Sequence, residues 1–336
     1  MRRRLTVAGM ALVMLLAAAQ VVAVARHALR GESAPASAAP AGLPALLAAP
    51  QPAERGLAPY AGVGAWVDAY DVGDGRGSAG GRGRPPVTAA DVDAMAAAGV
   101  RTLYLQPARD DGTGPAGLDD PGVAASFLVR AHQRGMRVVG WYVPRFGDLD
   151  RDLAHLRAIA RFEVLGHRFD GLAVDIEWTG SVADHVERSA RLVELSQRLR
   201  AELGDEPIGA IVLPPVQLEV VNPAYWPGFP WDELAPLYDA WLPMGYWTER
   251  SVASGYRDAA TYTTENLRLL RDRVGDGARV HAIGGLGEGS LVRDVAAFVA
   301  SVDRGGAIGA SIYDWATFPV DAQARLAAAL ALARVG

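Results

Sequence analysis

The ten-residue run from Phe169 to Trp178 contains the residues of this chain that are best suited to chemistry. With the two-residue period of a β-strand, its apolar side chains point to one face, while Asp175 and Glu177 end the other face. An unpaired carboxylate is costly to bury, so two acids kept together at a strand end indicate that the carboxylates have a function. A half-exposed strand with solvated acids, or an ion pair with an arginine, is the structural alternative.

An alternation of short β-type runs and amphipathic helical runs predicts the elements that hold this pair. The predicted strands are 61–67, 100–105, 137–143, 169–176, 208–213, 239–244, 279–284 and 308–313. The predicted helices lie near 88–98, 121–134, 150–166, 182–203, 232–237, 259–274, 290–303 and 319–334. Eight such units after residue 60 predict a (β/α)8 barrel, in which the loops after the strands form the site.

A doubly wound open sheet is the alternative fold. It normally has fewer strands and a glycine-rich phosphate turn that opens the first helix. The glycines between residues 73 and 83 follow the first strand but lead into Pro85 and Pro86 instead of a helix. We therefore interpret them as a rim loop.

Composition excludes several kinds of chemistry. The chain has 336 residues, a net charge of −5, no cysteine and no lysine among its 33 basic residues. Disulfides, thiolate metal sites and lysine Schiff bases are excluded, and the charge gives no electrostatic case for nucleic acid. The six histidines are scattered without metal-ligand spacing. We expect no metal, no organic cofactor and a monomer.

The N-terminus has the pattern of an export segment. Arg2, Arg3 and Arg4 precede an apolar run from Leu5 to Val24, and Ala23-Val24-Ala25 resembles a peptidase site. We predict a signal peptide or membrane anchor over 1–30, an Ala/Pro-rich linker over 31–58 and the barrel over 59–336. The protein is expected to be secreted or extracytoplasmic, and tied to the membrane if the segment is not cleaved.

The strand motif resembles that of the family 18 glycoside hydrolases, the chitinase-like enzymes. Their fourth strand reads D-G-x-D-x-D-x-E, and this chain has Asp170, Gly171, Asp175 and Glu177 at the matching positions, with Ala173 in place of the middle aspartate. The resemblance implies a (β/α)8 barrel that hydrolyses a β-linked, N-acetylated glycan of the chitin or peptidoglycan type.

Two shorter motifs extend the resemblance. Met244-Gly245-Tyr246 matches the Met-x-Tyr of the sixth strand, and Trp315 lies about one residue from the tryptophan that floors the family's site after the eighth.

The resemblance also implies a mechanism. Glu177 would be the general acid. Asp175 would orient the substrate's acetamido group, whose carbonyl oxygen attacks the anomeric carbon, and Tyr246 would donate a hydrogen bond to that group. The change at Ala173 is expected to leave Asp175 more firmly ionised, and to weaken catalysis or mark a different substrate.

Further residues near strand ends are candidates to contact the glycan. They are Asp170, Trp178, Trp247, Trp315, Asp314, Arg145, Gln106, Glu249 and Glu288. Indole rings near one rim, including Trp226 and Trp231, can stack on the apolar face of a sugar or pack the loops down. Trp66, Trp141 and Trp241 lie within strands and are predicted to pack the core. Arg145 is alternatively a counter-ion that keeps Asp175 charged.

Two other functions stay open. A retaining barrel glycosidase would use a direct carboxylate nucleophile after strand seven, near Glu288, although Ile176 stands where such enzymes usually have asparagine. The Asp-x-Glu pair also resembles family 25 muramidases. A non-catalytic carbohydrate-binding barrel is favoured by Ala173, but it would need neither Asp175 nor Glu177.

Overall fold

The computed structural model describes residues 56–72, 86–110, 116–287, 290, 292–318 and 320–333. The predicted export segment, most of the linker, the glycines of the rim loop and Glu288 lie outside the described residues. Within the described residues, no helix combines the length and the apolar character needed to cross a bilayer.

Eight parallel strands form a closed barrel, as the alternation predicts. They are β1 (Gly62–Val67), β2 (Thr102–Leu105), β3 (Arg137–Tyr142), β4 (Gly171–Ile176), β5 (Ile208–Val212), β6 (Ala240–Pro243), β7 (Arg279–Leu286) and β8 (Gly309–Tyr313). Each strand pairs with its neighbour in chain order, and β8 closes the barrel on β1. All eight predicted strands are confirmed.

Helices connect the strands around the outside of the barrel. They are α1 (Asp91–Ala97), α2 (Pro121–Gln133), α3 (Leu149–Arg161), α4 (His185–Leu203), α5 (Trp231–Leu234), α6 (Ala259–Val274), α7 (Val292–Arg304) and α8 (Val320–Ala333). Short 3₁₀ turns cover Ala58–Tyr60, Trp247–Glu249 and Val252–Ser254, and a π-helical turn covers Val216–Val221.

Local sequence explains where the first helices begin and end. At the start of α1, the backbone N–H and the hydroxyl of Thr88 donate to Asp91 Oδ2 at 2.7 and 3.0 Å. Gly99 and Gly135 follow α1 and α2 with φ of 88° and 69°, a left-handed conformation that a β-carbon disfavours.

The helix predicted over 150–166 is wrong at its C-terminal end. The helix stops at Arg161, and Glu163–Val164 pairs antiparallel with His167–Arg168. Leu165 and Gly166 form the turn, both with positive φ. The alternating apolar residues of so short a hairpin also fit a helical period, so the pattern alone does not separate the two.

The amino ends of the strands are sealed by a buried polar network. The Tyr60 hydroxyl donates to the carbonyl oxygens of Leu172 at 2.7 Å and Pro207 at 3.1 Å. His281 is fully buried, with Nδ1 2.8 Å from the Tyr60 carbonyl oxygen and Nε2 2.9 Å from Ser311 Oγ. Tyr60, His281 and Ser311 are hydrogen-bonded to one another or to the backbone at this end, whereas the sites of such barrels lie at the carboxyl ends of the strands.

Candidate active site

A cleft of about 260 Å³ opens at the carboxyl ends of the barrel strands. All eight strands, or the loops directly after them, contribute side chains to it. Four predicted site residues line it together, Asp175, Glu177, Tyr246 and Gln106. The cleft therefore brings the two acids and the phenol of the proposed chemistry into one space.

The two acids at the end of β4, Asp175 and Glu177, are called the acid pair below. Asp175 is 6% exposed and its Oδ1 has no hydrogen-bond partner. Burial raises the pKa of Asp175 well above its usual value, and the adjacent Glu177 charge adds to the rise. Burial also raises the pKa of Glu177, against the opposing charge of Arg145. The pair therefore favours holding a proton.

The expectation that Ala173, in place of an aspartate, leaves Asp175 more firmly ionised stays a prediction. Ala173 is fully buried in the apolar interior of the barrel, one inward position below Asp175. No donor replaces the missing acid there, and Asp175 has only Coulombic repulsion from Glu177 to add to its desolvation. Burial and the Glu177 charge keep the pKa of Asp175 above its usual value even without an acid at position 173.

Tyr246 is kept neutral by its surroundings. Burial raises the pKa of Tyr246 well above its usual value, and the charges of Asp175 and Glu177 raise it further. The turn that presents it is fixed by Gly245, whose N–H donates to the Ile283 carbonyl oxygen at 2.8 Å. A β-carbon at Gly245 would lie 2.8 Å from that oxygen, which explains the glycine of the Met-Gly-Tyr motif. Tyr246 is thus a neutral donor.

Arg145 lies in the loop after β3 and acts on Glu177 instead of Asp175. The buried Asp152 fixes this loop by accepting hydrogen bonds from the backbone N–H groups of Arg145 at 3.0 Å and Phe146 at 2.8 Å. The guanidinium of Arg145 stacks 3.5 Å from the ring centroid of Trp178. Its charge opposes the rise in the pKa of Glu177, so the counter-ion role expected toward Asp175 is not found.

Two tryptophans that sequence reasoning assigned to core packing line the cleft, and so does a tyrosine that it did not assign. Trp66 and Trp141 point inward from β1 and β3, and Tyr313 ends β8. The Trp66 indole donates to Ser311 Oγ at 2.7 Å, whereas the buried Trp141 Nε1 has no partner. Their inward-facing positions near the carboxyl ends of their strands were the signal that could have found them.

Tyr313 takes the place at the cleft that was expected for Trp315. The Tyr313 hydroxyl donates to Asp68 Oδ2 at 2.9 Å, and Asp68 also lines the cleft. Asp68 and Tyr70 follow β1 and were both missed, because a single acid and a single phenol after a strand form no recognisable motif.

Most of the loop tryptophans do not form sugar platforms. Trp226, Trp231, Trp247 and Trp315 are all buried, in the apolar layers outside the barrel wall. Trp178 is 38% exposed beside the acid pair, but it is not part of the cleft lining.

Two other described candidates, Asp314 and Glu249, do not line the cleft either. Asp314 accepts a hydrogen bond from the backbone N–H of Thr317 at 2.9 Å and caps the turn after β8. Glu249 is exposed in a short 3₁₀ turn, and Glu288 lies outside the described residues.

Asp170 lies at the opposite end of β4 from the acid pair. Its Oδ2 accepts a hydrogen bond from the backbone N–H of Val138 at 2.7 Å and lies 2.9 Å from Nε2 of His132. The ring of His132 in turn contacts His167 of the hairpin, with 2.8 Å between the two Nδ1 atoms. The first acid of the motif therefore anchors the start of the strand.

Asp170→Ala is expected to reduce stability and leave substrate binding unchanged. The change leaves the Val138 N–H and the His132 ring without their acceptor, at a cost of about 1–3 kcal/mol. Urea unfolding measures this loss as a lower midpoint at constant slope, and Asp205→Ala, at an exposed loop residue, is the control. A raised KM at unchanged stability would contradict this assignment.

Among the described residues, Asp68, Asp71 and Asp314 place carboxylate oxygens within 4.8 Å of one another beside the cleft. Asp68 already accepts hydrogen bonds from Tyr313 and from the backbone N–H groups of Tyr70 and Asp71. Acids also cluster at surfaces without an ion, so we assign no metal to this group.

No known protein-family model matches the chain. No curated protein matches it either. Solved structures do match. An endo-1,4-β-mannanase from Rhizomucor miehei is 10% identical, with a TM-score of 0.59 over 82% of this chain and 95% of the mannanase.

Two chitinase structures are similar to the same extent. The C-terminal domain of a putative chitinase from Desulfitobacterium hafniense is 11% identical, with a TM-score of 0.58 over 81% of this chain and 99% of the other. A Cycas revoluta chitinase in complex with (GlcNAc)3 is 11% identical, with a TM-score of 0.58 over 80% and 98%. The chain therefore has the (β/α)8 barrel fold of these chitinases and this mannanase.

Proposed function

We propose that this protein is a glycoside hydrolase that cleaves a β-linked, N-acetylated glycan of the chitin or peptidoglycan type. The observation that carries the proposal is the buried acid pair, which shares one cleft with the neutral phenol of Tyr246. The similar fold of chitinases, one of them in complex with an N-acetylglucosamine trimer, supports the choice of glycan.

Glu177 is the proposed general acid. A carboxyl group protonates a leaving oxygen near neutral pH only if its pKa is raised, and burial raises the pKa of Glu177. The charge of Arg145 opposes this rise, which favours release of the proton from Glu177 during turnover.

Asp175 is proposed to bind the acetamido N–H of the substrate through its unpaired Oδ1. This hydrogen bond favours the ionised form of Asp175 and leaves the proton of the pair on Glu177. The acetamido oxygen, to which Tyr246 donates, then forms a bond to the anomeric carbon. The glycosidic bond breaks as its oxygen takes the Glu177 proton, and water, deprotonated by Glu177, opens the cyclic intermediate.

A mechanism with a direct nucleophile is the second candidate. Of the described residues that line the cleft, Asp68 is the third acid. Its hydrogen bonds from Tyr313 and two backbone N–H groups suit a fixed carboxylate better than an attacking one. Cleavage of glycans that lack the acetamido group would favour this mechanism over ours.

We also propose that the barrel works outside the cytoplasm, exported by the arginine-led apolar segment over 1–30 and spaced from it by the linker over 31–58. Fractionation of cells that produce the full-length protein tests this. Recovery only from the cytoplasm would contradict it.

The activity is tested by incubating the full-length protein with N-acetylglucosamine oligomers and, separately, with purified peptidoglycan. We expect new reducing ends from at least one of them and none from cellotetraose. Wild-type protein that binds the oligomers without cleaving them would favour a carbohydrate-binding barrel instead.

A further inference from the structure

We propose that Trp141 is a specificity-determining residue of this cleft, because its indole N–H binds an acceptor oxygen of the sugar seated beside Asp175. The inference rests on the proposed function and names a contact on which the choice of substrate depends. Its argument comes from the position of Trp141 in the barrel, its burial and its unmet hydrogen-bonding capacity.

The strand register puts Trp141 directly under the acid pair. Trp141 on β3 pairs with Ala173 on β4, and Asp175 is the next inward residue along β4. The large indole reaches the cleft from this lower layer, where it contacts the ring of Trp66 edge-on at 5.9 Å. The Trp141 side chain is therefore part of the bottom of the cleft, next to Asp175.

The indole N–H of Trp141 is a donor without an acceptor. Trp141 is 4% exposed, and its Nε1 is buried with no hydrogen-bond partner. In the same cleft, the Trp66 Nε1 donates to Ser311 Oγ. Buried donors without partners are uncommon, and Trp141 differs from the similarly unpaired Trp247 in lining the cleft, where a ligand can supply the partner. The side chains of Ile211 and Ile283 that share the bottom of the cleft offer no acceptor.

Ala173 is the reason why this donor is left over. An acid at position 173, as in the motif that this strand resembles, would place a carboxylate beside Trp141 on the paired strand. The methyl group of Ala173 accepts no hydrogen bond. The residue that departs from the motif thus leaves the Trp141 N–H for the substrate.

The cleft now offers two complementary unpaired atoms, the Trp141 N–H as donor and Asp175 Oδ1 as acceptor. A group that has both an acceptor oxygen and a donor hydrogen satisfies both at once. The acetamido group and a sugar hydroxyl both meet this requirement, so the shared chemistry is an acceptor oxygen next to an N–H or O–H.

The test measures binding of two oligomers in a Glu177→Gln background, which prevents turnover. We expect Trp141→Phe to weaken binding of the N-acetylglucosamine tetramer about tenfold or more, because a buried site that loses a hydrogen bond to substrate discriminates strongly. Cellotetraose separates the two sources of the oxygen. If the oxygen belongs to the acetamido group, Trp141→Phe leaves the affinity for cellotetraose unchanged. If the oxygen belongs to a hydroxyl, Trp141→Phe weakens the binding of cellotetraose by the same factor as that of the N-acetylglucosamine tetramer.

Two further variants separate the hydrogen bond from packing. Replacement of Trp141 by 3-benzothienylalanine keeps the bicyclic shape and removes only the N–H, so we expect the same loss of affinity at an unchanged unfolding temperature of the free protein. Trp241→Phe is the matched control, because Trp241 is equally buried but packs against Trp231 and Tyr238 outside the barrel wall. It is expected to bind with the affinity of its parent.

Full tetramer affinity in either Trp141 variant would overturn the proposal, and so would a loss in Trp141→Phe that the benzothienyl analogue does not share. If the parent protein binds neither oligomer and the wild type cleaves none, the proposed function itself has failed, which is a different result from an intact affinity in the variants.

Discussion

Glu177→Gln is expected to lower kcat on N-acetylglucosamine oligomers by about a hundredfold to ten-thousandfold, the contribution typical of a general acid. The amide keeps the size of the carboxyl group but has no acidic proton for the leaving oxygen. Binding should change little, because the acid acts mainly in the transition state. Initial rates and oligomer affinity are measured side by side.

The control for this change is Glu187→Gln, at an exposed glutamate on α4 that forms an ion pair with Arg191 in the next turn. It should retain wild-type rates. Equal rates for wild type and Glu177→Gln would show that Glu177 is not the general acid. Binding by both, with turnover by neither, would identify a barrel that holds glycan without cleaving it.

Asp175→Asn is expected to lower kcat by about a hundredfold and to move the basic limb of the pH–rate profile to lower pH. The ionised Asp175 disfavours a second charge on Glu177 nearby. Without that charge the pKa of Glu177 falls, so the acid loses its proton at a lower pH. The measurement is kcat against pH for wild type and variant. An unchanged basic limb would show that the two carboxyls do not interact.

The same change should stabilise the free protein near neutral pH. The pKa of Asp175 is raised in the folded state, so its ionisation opposes folding as the pH rises above the unfolded value of 3.8. Asparagine has no such cost. Unfolding free energies of wild type and variant should therefore converge below that pH and separate above it. A variant less stable at neutral pH would contradict the burial argument for Asp175.

The barrel was predictable because its signals are local. Short runs of β-type residues mark the strands, and Gly99 and Gly135 mark helix ends by their own left-handed backbone. The outward apolar and inward acidic faces of β4 were equally local, so the acid pair could be placed at the cleft. The hairpin after Arg161 was missed because its four paired residues give too short a pattern to be distinguished from a helix.

The rest of the site depended on how the barrel closes. Trp141 faces Ala173 only through strand pairing, and Trp247 and Trp315 turn outward through loop geometry that the chain order does not reveal. Asp170 belongs to the same motif as Glu177, yet the length of the strand separates them. The raised pKa of Asp175 comes from its burial, and the residue types around it in the sequence do not reveal that burial.

The most direct test of the central claim is the configuration of the first product released from the N-acetylglucosamine tetramer, followed by NMR as it forms. Attack by the acetamido oxygen and then by water at the same carbon predicts a product that first appears as the β-anomer, formed by the wild type and not by Glu177→Gln. An α-anomer, or a product that Glu177→Gln forms at the wild-type rate, would contradict the account.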